Sequence, residues 1–445
     1  MGAPVKAKKM HELLTPAEMG RADEVAGNGE ALMQAAGRAV ARQVMRRFAP
    51  CPVLVLVGPG KNGGDGLVAA QYLRWAGWPV TVRRLHEASV EDVARAGLVI
   101  DALFGAGLSR PLGEPAVGLL RAAKRLVAVD VPSGLEGATG CVLGFAPQAA
   151  LTVTFFRAKP GHYLLPGRSL CGELAVCDIG LPARVLDEVR PRLFLNGPWL
   201  WDLPVHAVDG HKYKSGDVTV LCGEMPGAAR LSCAAARRAG AGMVTLAADV
   251  PMILPEAGLI VRHAPLASLL EDERRKVFVC GPGLGSDAGE KLAQVIAAGR
   301  LVVADADALT ACAGAPERLR GVTVATPHAG EFSRVFGAPG ADRVASVRAA
   351  AALTGAVVLL KGADTIIASP DGRAAINANA PPWLATGGTG DVLTGIIAAF
   401  LTQGLPAFEA TCAAVHVHGA AGELAGKGLL AEDLPARVPQ AMQQM

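Results

Sequence analysis

A chain of 445 residues, 51% of them hydrophobic, is too long for one ordinary domain and predicts two or three, each with its own core. Its 43 basic and 40 acidic residues leave a net charge of +3, and the basic residues are dispersed, which argues against a nucleic-acid footprint. Aromatic residues supply only 4%, so the cores are expected to be built from Ala, Val and Leu, a composition suited to tightly packed α/β layers. No apolar run reaches the roughly 18 residues of a membrane span. No signal-peptide core follows the basic start at Lys6, Lys8 and Lys9, and a cytoplasmic protein without membrane partners is expected. Nine cysteines without a Cys-x-x-Cys pair fit a reducing compartment rather than a disulfide framework. His416 and His418, two apart, would not share a helix face and read as structural or surface residues.

The first element opens at Thr15-Pro16-Ala17-Glu18, which offers a cap, a proline at the first helical position and a glutamate at the third. An amphipathic helix is expected over 31–48, then strands at 53–57, 79–83, 98–100, 126–129 and 151–155 with short helices between them. That alternation predicts a mainly parallel sheet. The pattern breaks around 187–204, and a joint at 191–205 would divide a first domain, 1–190, from a second, 206–445. Strands are expected again at 217–222, 243–246, 276–280, 301–304, 322–325 and 357–361, followed by a hairpin of 365–368 and 373–376 around Asp371-Gly372. Helices over 391–400 and 406–427 would end the chain. The fold class is therefore α/β in both halves.

In the first half, Gly58-Pro59-Gly60-Lys61-Asn62-Gly63-Gly64-Asp65-Gly66 follows an apolar strand and precedes a helical run over 67–75. Its glycines can aim backbone amides at an anion in front of a helix N-terminus, although the pattern is neither the dinucleotide fingerprint nor the Walker loop. A plain glycine-rich turn is the alternative. Asp101-Ala102-Leu103-Phe104-Gly105-Ala106-Gly107 and Asp130-Val131-Pro132-Ser133-Gly134 also lie just beyond strands, where open sheets place ligands. Carboxylates there can hold a cation, move a proton or cap the next helix. Lys159 offers Asp130 a cationic partner, a surface-loop ion pair being the alternative.

In the second half, Gly387-Gly388-Thr389-Gly390-Asp391 opens an apolar helix, an arrangement that can hold a polyphosphate beside a carboxylate able to deprotonate a hydroxyl. Lys361-Gly362-Ala363-Asp364-Thr365, Thr326-Pro327-His328-Ala329-Gly330-Glu331 and Gly281-Pro282-Gly283-Leu284-Gly285 are further post-strand loops. His328 could serve a ligand or cap a helix. Asp305 and Asp307 could meet Mg²⁺ through phosphate or water, or cap the helix after them.

Together with Leu32-Met33-Gln34-Ala35-Ala36-Gly37, Thr154-Phe155 and Lys159-Pro160-Gly161, the first set of loops resembles the epimerase domain of the NAD(P)H-hydrate repair enzymes over 13–185. That resemblance implies a Rossmann-like three-layer domain that interconverts the R and S hydrates of NADH and NADPH (NADHX and NADPHX). It implies hydrate contacts at Lys61, Asn62, Gly63, Gly64, Asp65, Gly105, Ala106, Gly107, Leu108, Ser109, Arg110, Pro111 and Asp130, and a potassium ion held by Asn62, Asp101 and Ser133. Lys61 departs from the Asn often found there. Asp130 and Lys159 are the expected catalytic acid–base pair.

The second set, from His211-Lys212 through Gly240-Ala241-Gly242 to Asp391, resembles the dehydratase domain of the same family, with a ribokinase-like α/β fold. The resemblance implies that Ala229, Gly283, His328 and Asp391 touch the S hydrate, and that Lys361, Gly362, Ala363, Asp364, Thr365 and Gly390 touch the nucleotide. Asp391 would be the base. The fused, epimerase-first order implies ADP as co-substrate, with Mg²⁺ in the dehydratase site, and a homo-oligomer is expected. A ribokinase-like kinase for a small vitamin precursor is the rival reading.

Overall fold

The computed structural model describes residues 11–204, 216–252 and 254–445. The basic start at Lys6, Lys8 and Lys9 and the His211-Lys212 pair lie outside them. The chain divides into two compact units between Phe194 and Leu195.

The first unit is built on six strands: β1 (Val53–Val57), β2 (Val80–Arg84), β3 (Leu98–Ala102), β4 (Leu126–Val129), β5 (Leu151–Phe155) and β6 (Glu173–Cys177), in the spatial order β2-β1-β3-β4-β5-β6. Every pairing is parallel. Side chains alternate across a strand, so Val53, Val55 and Val57 enter one core while Leu54 and Leu56 enter the other. The helices Gly29–Arg47 and Lys61–Trp75 cover the first face, and Val90–Arg95 and Ala116–Ala122 the second, giving three layers. Thr15 caps its helix in the expected way, its Oγ1 accepting from the Glu18 N–H (3.2 Å) while Glu18 Oε2 accepts from the Thr15 N–H (2.8 Å).

Two features of this unit differ from the sequence expectation. The helix expected over 67–75 begins at Lys61, so the glycine run forms its first turns. The glycines are there for approach: a Cβ on Gly63 would lie 2.1 Å from the Gly58 carbonyl oxygen, and one on Gly66 2.5 Å from the Ala102 Cβ. The edge strand β6 was not expected, since its short half-exposed run gives no strong alternation.

The second sheet joins β7 (Leu193–Leu195), β8 (Asp217–Cys222), β9 (Met243–Ala248), β10 (Ile260–His263), β11 (Val277–Cys280), β12 (Leu301–Ala304), β13 (Val324–Ala325), β14 (Val357–Leu360), β15 (Thr365–Ala368) and β16 (Ala374–Asn377). Their order is β10-β9-β8-β11-β12-β13-β14-β15-β16-β7. Pairing is parallel from β10 to β14 and turns antiparallel through the β15–β16 hairpin, which pairs Thr365 with Asn377 as the Asp371-Gly372 turn suggests. The helix Thr389–Thr402 is buried along most of its length between Pro226–Arg238 and Ala407–Ala425, which explains its unbroken apolar sequence. Among the described residues no helix is long and apolar enough to cross a membrane.

The helices Gly29–Arg47 and Lys61–Trp75 meet at Gly37, where a Cβ would lie 2.4 Å from the Val68 Cβ and 2.7 Å from the Asp65 carbonyl oxygen. Gly37→Ala should therefore destabilise the first unit by about 1–3 kcal/mol, despite alanine's better helix propensity. Urea unfolding checks this, and an unchanged midpoint would refute the close packing.

Candidate active sites

In the first unit the loops after β1, β3 and β4 meet at the carboxyl edge of the sheet. Gly58 permits this, since a Cβ there would lie 1.8 Å from the Leu103 carbonyl oxygen. They enclose a cavity of 680 Å³, lined by Lys61, Asn62, Asp65, Gly105, Ala106, Gly107, Leu108, Arg110, Asp130 and Lys159 with Met33, Phe104 and Phe155 among its apolar walls. That volume suits a cofactor-sized ligand. Gly63, Gly64, Ser109 and Pro111, expected ligand contacts, are not among the lining residues.

Asp130 follows β4 with φ of +69°, a left-handed conformation that non-glycine residues rarely adopt. Its Oδ1 accepts from Lys159 Nζ (2.6 Å) and Thr154 Oγ1 (2.9 Å), and its Oδ2 from the Ala106 N–H (3.1 Å). Lys159 Nζ also donates to Thr154 Oγ1 (2.8 Å). Lys159 is 2% exposed and Asp130 partly buried, so this is not the surface-loop contact that was the alternative. Removal from water would push the Asp130 carboxyl up, but the adjacent Lys159 charge and its hydrogen bond outweigh that and hold it near about 2. Asp130 is thus a fixed anion at neutral pH. Asp65, on the same cavity, goes the other way: burial and the negative charges of Asp130 and Asp23 raise it to about 8, with Lys159 and Lys61 opposing.

Of the expected potassium ligands, Asp101 and Ser133 are in direct contact and both fully buried. Asp101 Oδ1 accepts from Ser133 Oγ (2.6 Å) and the Leu103 N–H (3.2 Å), and Oδ2 from the Ser133 N–H (2.8 Å). Burial raises Asp101 to about 6. Asn62 makes no hydrogen bond to either of them; its Oδ1 lies 3.4 Å from where a Gly105 Cβ would be, and its Nδ2 is buried without a hydrogen-bond partner. The donors are oxygens, the kind a hard cation takes. Among the described residues no group of three or more His, Cys, Asp or Glu side chains could hold a metal ion.

In the second unit, Lys361 after β14 reaches Asp305 after β12: Nζ lies 2.6 Å from Oδ1 and 3.9 Å from Glu331 Oε2. Thr394 Oγ1 donates to Asp305 Oδ2 (3.2 Å). Gly390 brings the helix N-terminus to this pair, for a Cβ there would lie 3.4 Å from Lys361 Nζ. Asp391 sits in the first turn beside it, raised to about 6 by burial and by the Asp305 charge, with Lys361 opposing.

The remaining expected contacts divide. Gly362 and Ala363 are exposed, and Thr365 closes their loop by donating to the Gly362 carbonyl (2.7 Å). Asp364 is buried in a two-bond ion pair with Arg343 and forms part of the scaffold. His328 is a helix cap, its Nδ1 accepting from the Gly330 N–H (2.9 Å), while its side chain stays 54% exposed. Gly283, with φ of +60°, sits where a Cβ would lie 2.3 Å from the Met225 carbonyl oxygen. Ala229 has no exposed surface and packs in the core, so a ligand at this helix start would meet Gly227 and Ala228 before it. Asp305 is occupied by Lys361 and Thr394, and makes no side-chain cap. Asp307 Oδ2 accepts from the Gly285 N–H (2.8 Å), leaving Oδ1 without a donor among the described residues.

Residues 218–444 match the family described as NAD(P)H-hydrate dehydratase, and residues 29–96 and 83–161 match the YjeF-related protein N-terminus. The chain is 37% identical to the bifunctional NAD(P)H-hydrate repair enzyme Nnr of Thermofilum pendens over 94% of its own length and 92% of the relative's. It is 36% identical to the protein of that name from Moorella thermoacetica, over 97% of each chain. The chain belongs to the bifunctional NAD(P)H-hydrate repair enzymes. Among solved structures, the ADP/ATP-dependent NAD(P)H-hydrate dehydratase of Bacillus subtilis, co-crystallised with ATP and Mg²⁺, is similar at 29% identity, covering 54% of this chain and 94% of that one with a TM-score of 0.47.

This repair enzyme carries site residues that its motifs did not announce. His162 and Thr394 gave no signal beyond spacing: His162 lies three residues after Lys159 in a Pro-Gly turn, and Thr394 three after Asp391 on the same helix face. Asp65 was expected as a ligand contact, but its raised carboxyl, due first to burial and then to the charges of Asp130 and Asp23, had no sequence signal.

The folded state holds a proton on Asp65 up to about pH 8, whereas the unfolded chain loses it near 3.8, so stability should fall as pH rises through that interval. Asp65→Asn removes this loss. Hydrogen exchange of the Lys61–Trp75 helix should show the variant better protected than the parent at pH 8, with the advantage shrinking at pH 5. Equal differences at both pH values would contradict the buried, protonated carboxyl.

Proposed function

We propose that the first unit epimerises the R and S hydrates of NADH and NADPH, and that the second dehydrates the S form at the expense of ADP, giving AMP and phosphate. The observation that carries this reading is that each unit places a lysine–aspartate pair and a second, raised carboxyl at the carboxyl edge of its own parallel strands.

Epimerisation requires the hydroxyl-bearing carbon to lose its configuration, by departure of the hydroxyl or opening of the ring, before the hydroxyl is re-formed on the other face. In the cavity of the first unit, Asp65 can give a proton to the departing hydroxyl near neutrality, while the fixed Asp130 anion favours the positive charge that develops on the ring. Lys159 keeps Asp130 charged and supplies a further proton donor. Asp101, Ser133 and Asn62 suit a potassium ion, which would add positive charge beside the substrate's phosphates.

In the second unit, Lys361 and the amides at Gly390 would hold the nucleotide phosphates. Asp391 would take the hydroxyl proton as the oxygen attacks the terminal phosphorus. Phosphate then leaves with the C–O electron pair, a neighbouring ring proton is lost, and the dihydronicotinamide is restored. Asp391 at about 6 is largely ionised at neutral pH, as a base must be. Mg²⁺ would neutralise phosphate charge, with Asp307 the carboxylate that retains an oxygen for it, through water.

The test is recovery of reduced-nicotinamide absorbance from a mixed R and S hydrate pool with ADP. Full recovery with release of inorganic phosphate is expected, slowed when potassium is exchanged for an inert organic cation. An accumulating phosphorylated product would favour the small-molecule kinase instead, and a rate indifferent to the exchange would remove the potassium site. Asp391→Asn should slow dehydration by about 10²- to 10⁴-fold with ADP still bound. Dehydration at the parent rate would remove Asp391 as the base.

A further inference from the structure

We propose that His162 is a positioning residue of the first site, an imidazole that ties the backbones of Asp130 and Lys159 together so that their side chains meet in the cavity. The inference rests on the assignment of that cavity to epimerisation, and it concerns a residue for which the function above needs no role.

The geometry is a two-sided bridge. His162 Nε2 lies 2.8 Å from the Asp130 carbonyl oxygen, and Nδ1 lies 3.0 Å from the Lys159 backbone nitrogen. The Lys159 N–H can only donate, so Nδ1 is the unprotonated nitrogen and Nε2–H donates to Asp130. One neutral tautomer therefore satisfies both contacts. The ring is 3% exposed, and burial with the neighbouring Lys159 charge lowers its pKa to about 4, so it stays neutral where the enzyme works.

Both tied residues need holding. β4 ends at Val129, and Asp130 beyond it adopts the left-handed φ of +69°. Its N–H is fixed by the Val153 carbonyl at 2.7 Å, and His162 fixes its C=O. With both peptide groups anchored, the carboxylate is directed at Lys159 Nζ, Thr154 and the Ala106 amide. On the other side, the Lys159 N–H belongs to no strand, and the turn that closes from the His162 N–H to the Lys159 carbonyl (3.1 Å) returns the imidazole to it. No other side chain on the described residues bonds to both backbones, so this ring ties the two main chains together while Thr154 ties the two side chains.

The test uses the full-length protein and three variants. His162→Phe keeps the ring's bulk and removes both contacts, His162→Gln keeps a donor for the Asp130 carbonyl, and His162→Asn keeps an acceptor for the Lys159 N–H. Epimerase kcat should fall by about 10- to 10²-fold in His162→Phe with KM within about threefold of the parent, as expected of misplaced but present catalytic groups. His162→Gln should recover part of the loss, and the shape of the pH–rate profile should not change. A loss confined to stability, with kcat of the folded fraction at the parent value, would overturn the proposal. So would a pH profile that loses a limb, which would make His162 a proton carrier. Should His162→Phe not fold, the two amide variants decide: His162→Gln more active than His162→Asn supports the bridge to Asp130, and parent-like kcat in both refutes it. Asp130→Asn run alongside distinguishes the role of the bridge from that of the cavity, since full epimerase activity in that variant would remove the assignment of the cavity itself.

Discussion

A lysine ammonium 2.6 Å from an aspartate carboxylate, just beyond the carboxyl end of a parallel strand, is the constraint on which each unit's proposed chemistry depends. Asp130 with Lys159 and Asp305 with Lys361 are such pairs, the first drawn from the loops after the neighbouring strands β4 and β5, the second from the loops after β12 and β14, which flank β13. A charge taken out of water without a partner costs several kcal/mol, and removing one member of a buried pair typically costs about 3–5 kcal/mol. Each pair is also tied to a threonine hydroxyl, Thr154 in one unit and Thr394 in the other, so the carboxylate oxygens are satisfied and their direction is set.

Burial, together with the charge of the paired aspartate, raises a second carboxyl in each unit. Asp65 is raised to about 8 by burial and by Asp130, and Asp391 to about 6 by burial and by Asp305. Carboxylates that share a cavity cannot all ionise freely, and the one with the better cationic and hydrogen-bond partners keeps its charge. The two outcomes differ in a useful direction. Leaving-group departure benefits from a protonated carboxyl near neutrality, and deprotonation of an attacking hydroxyl benefits from one that is mostly ionised.

Much of this was legible in the sequence, because strands buried on both faces read as apolar runs and post-strand loops carry chemistry. The first five strands and the hairpin after β14 follow from such runs, and the Thr15 box from local spacing. The edge strands β6 and β10 did not, as half-exposed short strands lack the pattern. Glycine was the main ambiguity. Gly63 and Gly66 look like an anion loop, yet they sit in the first turns of a helix where a side chain would strike backbone or core. Charge pairing was the second. Asp364 reads like a loop ligand until Arg343 is found beside it, and Lys159 reads like a surface lysine until Asp130 and Thr154 are found around its ammonium. Ala229 is wholly buried, which its place in a Gly-Ala-Ala run does not reveal.

The proposed assignment is that the Asp130–Lys159 pair serves epimerisation and leaves dehydration intact. Its most direct test is the double variant Asp130→Asn with Lys159→Met, which removes both charges at nearly constant volume and so leaves no unpaired buried ion. Given a mixed hydrate pool, ADP and the full-length double variant, absorbance recovery should proceed at the parent rate through the S share and then stall, with the R share converting only at the uncatalysed rate. Complete conversion at the parent rate would contradict the account.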